Sequence, residues 1–209
     1  MIRSYIHRCQ KDGVKIVMSC EVTPELIKEE KPDSVIIATG SKTLILPIEG
    51  IDNPAIIHGS DLLDGKRAAG KKVLVVGGGM VGCETAAFLG EQEHDVTVIE
   101  FRDTVGADVI HEHRVYLMKD FEDYGIKEIT GAKVCKFYED GVEYETADGV
   151  RHETRGYDSV ILSMGFRNYN PLEEKIKDLV PETHVIGDAI RARRALDATK
   201  EAYAVASKL

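Results

Sequence analysis

The sequence contains few cysteines, and its positive charges are outnumbered by negative ones. Its 209 residues include four cysteines, which form neither a CxxC pair nor a zinc-binding spacing, so no redox disulfide and no metal site is predicted. Lys and Arg number 27 against 36 Asp and Glu, and this net charge of −9 disfavours sequence-independent binding to nucleic acid or anionic lipid. No secretory signal pattern is visible, and unpaired thiols favour the reducing cytoplasm.

Long hydrophobic runs are also missing. The longest weakly charged stretch, residues 73–90, includes Glu84 and three consecutive glycines. These residues fit a strand, a turn and a helix better than a membrane span.

Strand and helix patterns alternate along the chain, which predicts an α/β fold with a parallel sheet. Two Asp-Gly pairs, at 140–141 and 148–149, predict a three-stranded β-meander over about 132–155. Residues 43–69 show few periodic signals and are predicted to be a connecting segment. Strands are predicted at 14–18, 34–38, 73–76, 95–100, 126–130, 160–164 and 185–187, and helices at about 1–12, from the N-cap Thr23 onward, and at 80–88, 107–124 and 195–208.

Two segments of the chain resemble each other. Residues 33–40 read DSVIIATG and residues 158–165 read DSVILSMG. Only 12 residues precede the first copy's upstream glycine, Gly13, so the first copy lacks the opening strand and helix of the second. We therefore expect the chain to be a piece of a longer polypeptide, with an exposed sheet edge through which it forms a homodimer.

A glycine-rich turn follows the apolar run that ends at Val76. Gly77, Gly79 and Gly82 precede an apolar helix, a context typical of dinucleotide binding. Gly77 allows the tight turn, Gly79 lets the backbone approach a diphosphate, and Gly82 lets helix and strand pack closely. Glu100 ends the next strand, where its carboxylate can bind the adenine-ribose hydroxyls and would repel a 2′-phosphate, which favours NAD over NADP.

Five motifs together resemble the two-dinucleotide-fold flavoproteins of the pyridine nucleotide–disulfide oxidoreductase superfamily. They are GGGMVGCE at 77–84, the strand ending in Glu100, the Asp-Gly hairpins, ATG at 38–40 and IGD at 186–188. The sequences VVGGGMVGCETA and VIGDAIRARRALDATKEAY most resemble the C-terminal part of 2,4-dienoyl-CoA reductase and enoate reductase proteins (NADH:flavin oxidoreductases). The resemblance implies a Rossmann-like NAD domain with the meander at 70–165, inserted in an incomplete Rossmann-like FAD domain at 1–42 and 166–209.

The resemblance also implies which residues contact each cofactor. Those implied for NAD are Gly77, Gly78, Gly79, Met80, Val81, Gly82, Glu84, Glu100, Phe101, Arg102, Val134, Gly165 and Phe166. Those implied for an incomplete FAD site are Val22, Ala38, Thr39, Gly40, Gly187 and Asp188. No catalytic side chain is implied, because the hydride passes directly between the two cofactors.

The implied function is that of an electron-input module, which passes hydride from NADH to FAD in the intact protein. The family's N-terminal barrel, which holds FMN, an iron–sulfur cluster and the substrate site, is not in this sequence, and neither is a glycine fingerprint for FAD. We therefore expect the isolated chain to be inactive and nearly colourless. The alternative is a structural module that holds NAD or ADP without turnover.

Overall fold

A computed structural model describes residues 2–209. They form two compact units, one made of residues 2–41 and 168–209 and the other of residues 42–167. We call these the outer unit and the inserted unit. Met1, with which the first predicted helix and domain begin, lies outside the described residues.

The structure contains strands and helices in alternation. The strands are β1 (Ser34–Ile37), β2 (Ser41–Thr43), β3 (Ile57–His58), β4 (Lys72–Val76), β5 (Asp95–Ile99), β6 (Lys127–Ile129), β7 (Lys133–Tyr138), β8 (Gly141–Glu145), β9 (Arg151–Thr154), β10 (Ser159–Leu162), β11 (Phe166–Asn168) and β12 (Glu182–Val185). The helices are α1 (Ile2–Lys11), α2 (Pro24–Glu30), α3 (Gly59–Leu63), α4 (Met80–Glu91), α5 (His111–Asp123), α6 (Glu173–Ile176) and α7 (Ala195–Ala206), with a 3-10 turn at Gly187–Ala189. None of the helices within residues 2–209 is both long enough and apolar enough to cross a membrane.

The inserted unit contains a five-stranded parallel sheet in the order β3-β10-β4-β5-β6. In β4, residues Val73 to Val76 are at most 2% exposed. A parallel strand covered on both faces is expected to be apolar throughout rather than alternating, which explains this sequence. The predicted α/β class and parallel sheet are confirmed.

The two faces of this sheet are covered by different elements. On one face, Cys83 and Leu89 of α4 and Leu117 and Phe121 of α5 pack with the sheet in a single apolar cluster. On the other, Phe137 and other residues of the antiparallel meander β7-β8-β9 pack against the sheet. The meander is therefore the second layer of the core, at the predicted place in the chain.

The outer unit contains a smaller parallel pair, β1 and β12. Its apolar cluster is built from Ile27, Ile37, Leu172, Ile176 and Val180. The N-cap of α2 is Thr23, whose hydroxyl accepts a hydrogen bond from the Leu26 N–H at 3.3 Å, as predicted from the Thr-Pro sequence.

The strand predicted at 14–18 is wrong. These residues have no strand structure, and Val17 and Met18 are 58% and 80% exposed. Within the described chain β1 pairs only with β12, and residues 14–18 pair with neither strand, so their apolar side chains stay exposed. Association of two chains through the open edge of this sheet remains a prediction.

Three other boundaries differ from those predicted. The segment 43–69 is not only connecting chain, because it contains β3 and α3 and β3 pairs with β10. The last strand lies at 182–185 rather than 185–187. Helix α5 begins at His111 rather than 107, because the backbone of its N-cap Ile110 is extended (φ −61°, ψ 146°).

Candidate functional site

The turn after β4 and the first turn of α4 each require a glycine. Gly77 has φ +104°, and a Cβ there would lie 2.4 Å from the Ser163 carbonyl oxygen. A Cβ on Gly82 would lie 1.8 Å from the Gly77 carbonyl oxygen. These distances leave no room for a side chain, so the tight turn and the close helix–strand packing both depend on glycine.

Glu100 lies directly against this turn. Its Oε2 accepts a hydrogen bond from the Gly78 N–H at 2.6 Å, and its Oε1 accepts one from the Arg102 N–H at 2.9 Å. Each carboxylate oxygen has a second lone pair, so Glu100 can still accept hydrogen bonds from a ligand. The structure thus brings together two residues that are 22 positions apart in the sequence.

Sequence reasoning missed a second carboxylate at the turn. Asp108 Oδ1 accepts a hydrogen bond from the Met80 N–H, the first N–H of α4, at 3.0 Å. A helix N-terminus favours an anionic oxygen, because its N–H groups are unpaired and its dipole is positive there. Asp108 lies in the loop after β5, and a single acidic residue in a loop gives no signal that it will reach a helix 28 residues earlier.

A buried thiol, that of Cys83, lies beneath the turn. The Cys83 Sγ donates to the Gly78 carbonyl oxygen at 3.2 Å, and burial raises the pKa of this thiol to about 12. Cys83 is therefore a packing residue and not a reactive thiol at neutral pH.

A small pocket opens beside the same turn. Three residues implied for NAD, Val81, Gly165 and Phe166, line it together. Its other lining residues are Thr43, Gly59, Ser60, Leu162 and Ser163. Glu84 is exposed on α4 and is not part of this lining.

The remaining residues implied for NAD follow the carboxyl end of β5. Phe101 is 69% exposed, and the backbone of Arg102 bonds to Glu100. The Ala132 N–H donates to the Glu100 carbonyl oxygen at 2.9 Å, which places the start of β7, and Val134 within it, next to this strand end.

In the outer unit, two of the segments implied for FAD follow paired parallel strands. Thr39 and Gly40 follow β1, Gly187 and Asp188 follow β12, and the Ile186 N–H donates to the Ile37 carbonyl oxygen at 3.0 Å. These residues therefore lie at one edge of the sheet, with Ala38 between β1 and Thr39. Val22 lies outside the strands, before α2, and is 47% exposed.

Asp188 and Gly187 are held by neighbours in the outer unit. Asp188 Oδ2 accepts from the Ser41 hydroxyl at 3.3 Å, and its Oδ1 accepts from the Arg193 N–H at 3.0 Å. The Gly187 N–H donates to Glu201 Oε2 at 2.7 Å. These bonds fix the backbone after β12.

The sequence profile of the pyridine nucleotide-disulphide oxidoreductase family matches residues 2–181. The chain belongs to this family. The resemblance inferred from the glycine turn and the strand ends is thereby confirmed.

Two curated relatives and one solved structure are similar over almost the whole chain. Cinnamate reductase of Clostridium sporogenes is 30% identical over 94% of this chain and 30% of its own length. NADH oxidase of Thermoanaerobacter brockii is 32% identical over 93% of this chain and 30% of its own length. A complex of 2-naphthoyl-CoA reductase with 2-naphthoyl-CoA is 31% identical, with a TM-score of 0.90 over 100% of this chain and 32% of that one. The chain thus spans about a third of the length of these oxidoreductases.

Proposed function

We propose that this chain is the NAD(H)-binding electron-input module of a flavin-dependent oxidoreductase. One observation carries the proposal: the glycine turn, Glu100 and the small pocket all follow the carboxyl ends of β4, β5 and β10. These are adjacent strands of one parallel sheet, and dinucleotides bind at the carboxyl ends of such strands.

The geometry of the turn fits the diphosphate of a dinucleotide. The N-terminus of α4 already binds carboxylate oxygens through the N–H groups of Gly78 and Met80. We expect the diphosphate to approach the neighbouring N–H groups of Gly79 and Val81, which requires the Asp108 carboxylate beside Gly79 to move aside.

The two ends of the dinucleotide would then have separate places. Glu100 would accept hydrogen bonds from the adenine-ribose hydroxyls, next to Phe101, Arg102 and Val134. The nicotinamide would lie against Val81, Gly165 and Phe166, which share one small pocket.

The pocket contains no acidic or basic side chain, and hydride transfer between two cofactors requires none. None of its lining residues is ionisable. The chemistry that bound NADH supplies is a hydride, and a flavin is its natural acceptor, so the protein's task is to position the ring and exclude water. This lining is compatible both with hydride donation and with the alternative of a structural module that only holds ADP.

The intact protein would carry the rest of the electron pathway. We propose that the outer unit contributes Thr39, Gly40 and Asp188 to an FAD site that this chain alone does not complete. As the relatives are about three times as long, FMN, an iron–sulfur cluster and the enoate-type substrate site are assigned to the remainder of the polypeptide. The four free cysteines fit a cytoplasmic setting.

The proposal can be tested by calorimetric titration of the chain with NADH, NADPH and ADP. We expect NADH to bind at least about tenfold more tightly than NADPH, because Glu100 would repel the 2′-phosphate. Glu100→Gln should reduce this preference, whereas Glu112→Gln, which removes the same charge from an exposed position on α5, should not.

Three results would count against the proposal. Absence of NADH binding would refute the proposal. Equal affinities for NADH and NADPH would refute the role of Glu100, and equal affinities for ADP and NADH would favour the structural module. A stoichiometric flavin absorbance in the purified chain would show that the FAD site is complete.

A further inference from the structure

An acidic side chain of the inserted unit occupies the place proposed for the diphosphate. Asp108 Oδ1 accepts a hydrogen bond from the Met80 N–H, the first N–H of α4, at 3.0 Å. A Cβ on Gly79, the N-cap of this helix, would lie 3.3 and 3.5 Å from the two carboxylate oxygens of Asp108. The carboxylate therefore covers the glycine and uses the donor that an anionic ligand would use.

The loop that carries Asp108 is anchored to the core beside this residue. Val105 is 0% exposed and lies beneath the turn, where a Cβ on Gly78 would be 2.9 Å from the Val105 Cγ1. The Gly106 N–H donates to the Gly78 carbonyl oxygen at 2.7 Å, and Val109 is buried. The packing of the loop therefore places the Asp108 side chain at the helix N-terminus.

A cation on α5 also holds this loop. The Arg114 Nη2 donates to the Thr104 hydroxyl at 3.0 Å and to the Val105 carbonyl oxygen at 3.1 Å. Both acceptors are neutral oxygens. Arg114 thus stabilises the loop and leaves the Asp108 carboxylate to the backbone N–H of α4.

Only the side chain of Asp108 has to move for the helix N-terminus to open. Asp108 is exposed, whereas Val105 and Val109 on either side of it are buried. The Val109 N–H donates to the Gly106 carbonyl oxygen at 3.1 Å, so Asp108 is the third residue of a four-residue turn. Rotation of an exposed side chain is fast, and here it moves the carboxylate into solvent without moving the loop backbone.

The second carboxylate at the turn has a different position. Glu100 is half-buried, and its two oxygens accept hydrogen bonds from the Gly78 N–H and the Arg102 N–H. A ligand can bind to Glu100 through the remaining lone pairs while these bonds stay in place. Asp108, in contrast, has to give up its bond to the Met80 N–H before an anion can bind there.

We propose that Asp108 is an autoinhibitory residue whose carboxylate occupies the N-terminus of α4 until a dinucleotide displaces it; this rests on the proposed function. Such an internal competitor lowers the apparent affinity for every anion by the same factor, namely the fraction of chains in which the site is open. Free phosphate or pyrophosphate, bound by N–H groups alone, then has little affinity left. A dinucleotide has further contacts, such as those proposed at Glu100, and stays bound. Asp108 thereby excludes free inorganic anions from the empty site.

The test measures two ligands on three chains at one salt concentration. NADH binding is measured by calorimetric titration, and inorganic pyrophosphate binding by the amide NMR signals of Gly79 and Met80. The chains are the wild type, Asp108→Ala and the matched control Asp103→Ala, which removes the same charge from an exposed position in the same loop. We expect Asp108→Ala to bind both ligands about tenfold more tightly and by the same factor, because one competitor leaves one shared site. Asp103→Ala should change neither affinity by more than about twofold, because salt screens exposed charges that make no contact.

The stability of the chain without ligand should change in the opposite direction. Asp108→Ala removes the acceptor of the Met80 N–H, so the midpoint of urea unfolding should fall although the affinity rises. Asp108→Asn keeps an uncharged acceptor and should retain the wild-type midpoint, because asparagine and aspartate are equally good at a helix N-terminus. It should still bind pyrophosphate about threefold more tightly than the wild type, because the charge repulsion is gone. Asp108→Asn therefore decides the question if Asp108→Ala does not fold.

The outcomes separate this proposal from the one it rests on. If the wild type binds NADH but neither variant of Asp108 binds NADH or pyrophosphate more tightly, the autoinhibitory role is refuted and NAD binding stands. An equal gain in Asp103→Ala would also refute it, because net charge alone would then explain the effect. If the Asp108 variants gain affinity for pyrophosphate but no chain binds NADH, the proposed function fails and the competition at the helix N-terminus stands.

Discussion

Strands β1 and β10 have nearly the same sequence but very different surroundings. The strand β10, SVIL, lies between β3 and β4, and its Ile161 is 0% exposed. The strand β1, SVII, pairs within the described residues only with β12, and the equivalent Ile36 is 40% exposed. Similar residues therefore form a strand in both places, where each has a partner, whereas the number of neighbouring strands determines how much of the strand is buried.

The segments that follow β1 and β10 also differ. Each repeat ends in a glycine with positive φ, but Gly165 lines a pocket with Ser163, whereas Gly40 follows Ala38 in a segment held by the hydrogen bond from the Thr39 hydroxyl to the Tyr169 carbonyl oxygen. A shared backbone path thus carries different side-chain chemistry.

The largest expected difference between the units is the reactivity of their thiols. Burial raises the pKa of Cys83 in the inserted unit from 9.0 to about 12, and the nearby Asp108 carboxylate adds to this shift. At pH 8 its thiolate population is roughly a thousandfold below that of an ordinary cysteine. Iodoacetamide followed by mass spectrometry should modify Cys20, which is exposed in the outer unit, at least about 100-fold faster than Cys83.

The pKa of Cys83 also gives a pH dependence of stability. The unfolded thiol ionises near pH 9, and the folded one only near 12. Its contribution to the free energy of unfolding is therefore fully present below pH 9 and is lost as the pH rises toward 12. Similar alkylation rates at Cys83 and Cys20 in the native chain would contradict both the burial and this pH dependence.

The next effect is on stability at the aligned isoleucines. Ile161→Ala would leave a cavity between sheet and helices and should cost about 3 kcal/mol, whereas Ile36→Ala should cost less than about 1 kcal/mol. Urea unfolding followed by circular dichroism measures both, and Cys83 alkylation in rising urea reports the inserted unit separately. Equal costs would mean that Ile36 is buried in solution, for example by a second chain.

The smallest expected difference is at the two glycines that end the repeats. Gly165→Ala and Gly40→Ala each place a Cβ in open space at a positive φ, so each should cost about 1 kcal/mol through backbone strain alone. The two unfolding free energies should fall by amounts that agree within about 0.5 kcal/mol. A much larger cost at Gly165 would show that its Cβ meets a neighbour in solution.

The parts of the fold that could be predicted are those whose signal is local. The glycine turn has an apolar strand before it and an apolar helix after it, and the loop between β8 and β9 contains the predicted pair Asp148 and Gly149, with Gly149 at φ +78°. In the hairpin between β7 and β8, the two loop residues are Glu139 and Asp140 rather than the predicted pair, because Gly141 already pairs with Tyr138. The strand predicted at 14–18 failed because an apolar pattern indicates a strand only where a neighbour exists to pair with it. The short strand β3 was missed because its two residues are defined by pairing with β10 and by nothing in their own sequence.

The candidate site likewise contains some residues that could be predicted from the sequence and others that could not. Gly77, Gly82 and Glu100 follow a spacing that can be read directly in the sequence, and the structure places them together. Asp108 and Ser163 could not be found, because a loop and a separate strand bring them to the turn from 28 and more than 80 residues away.

The inserted unit begins and ends at the same place. The Leu44 N–H donates to the Gly165 carbonyl oxygen at 2.9 Å, and β2 pairs with β11. A segment whose two ends are neighbours can be inserted into a host protein, or deleted from it, with little change to the host fold. Such a segment also tolerates circular permutation. Residues 42–167 therefore have the geometry of a domain that gene fusion can insert into a host protein as a single continuous segment.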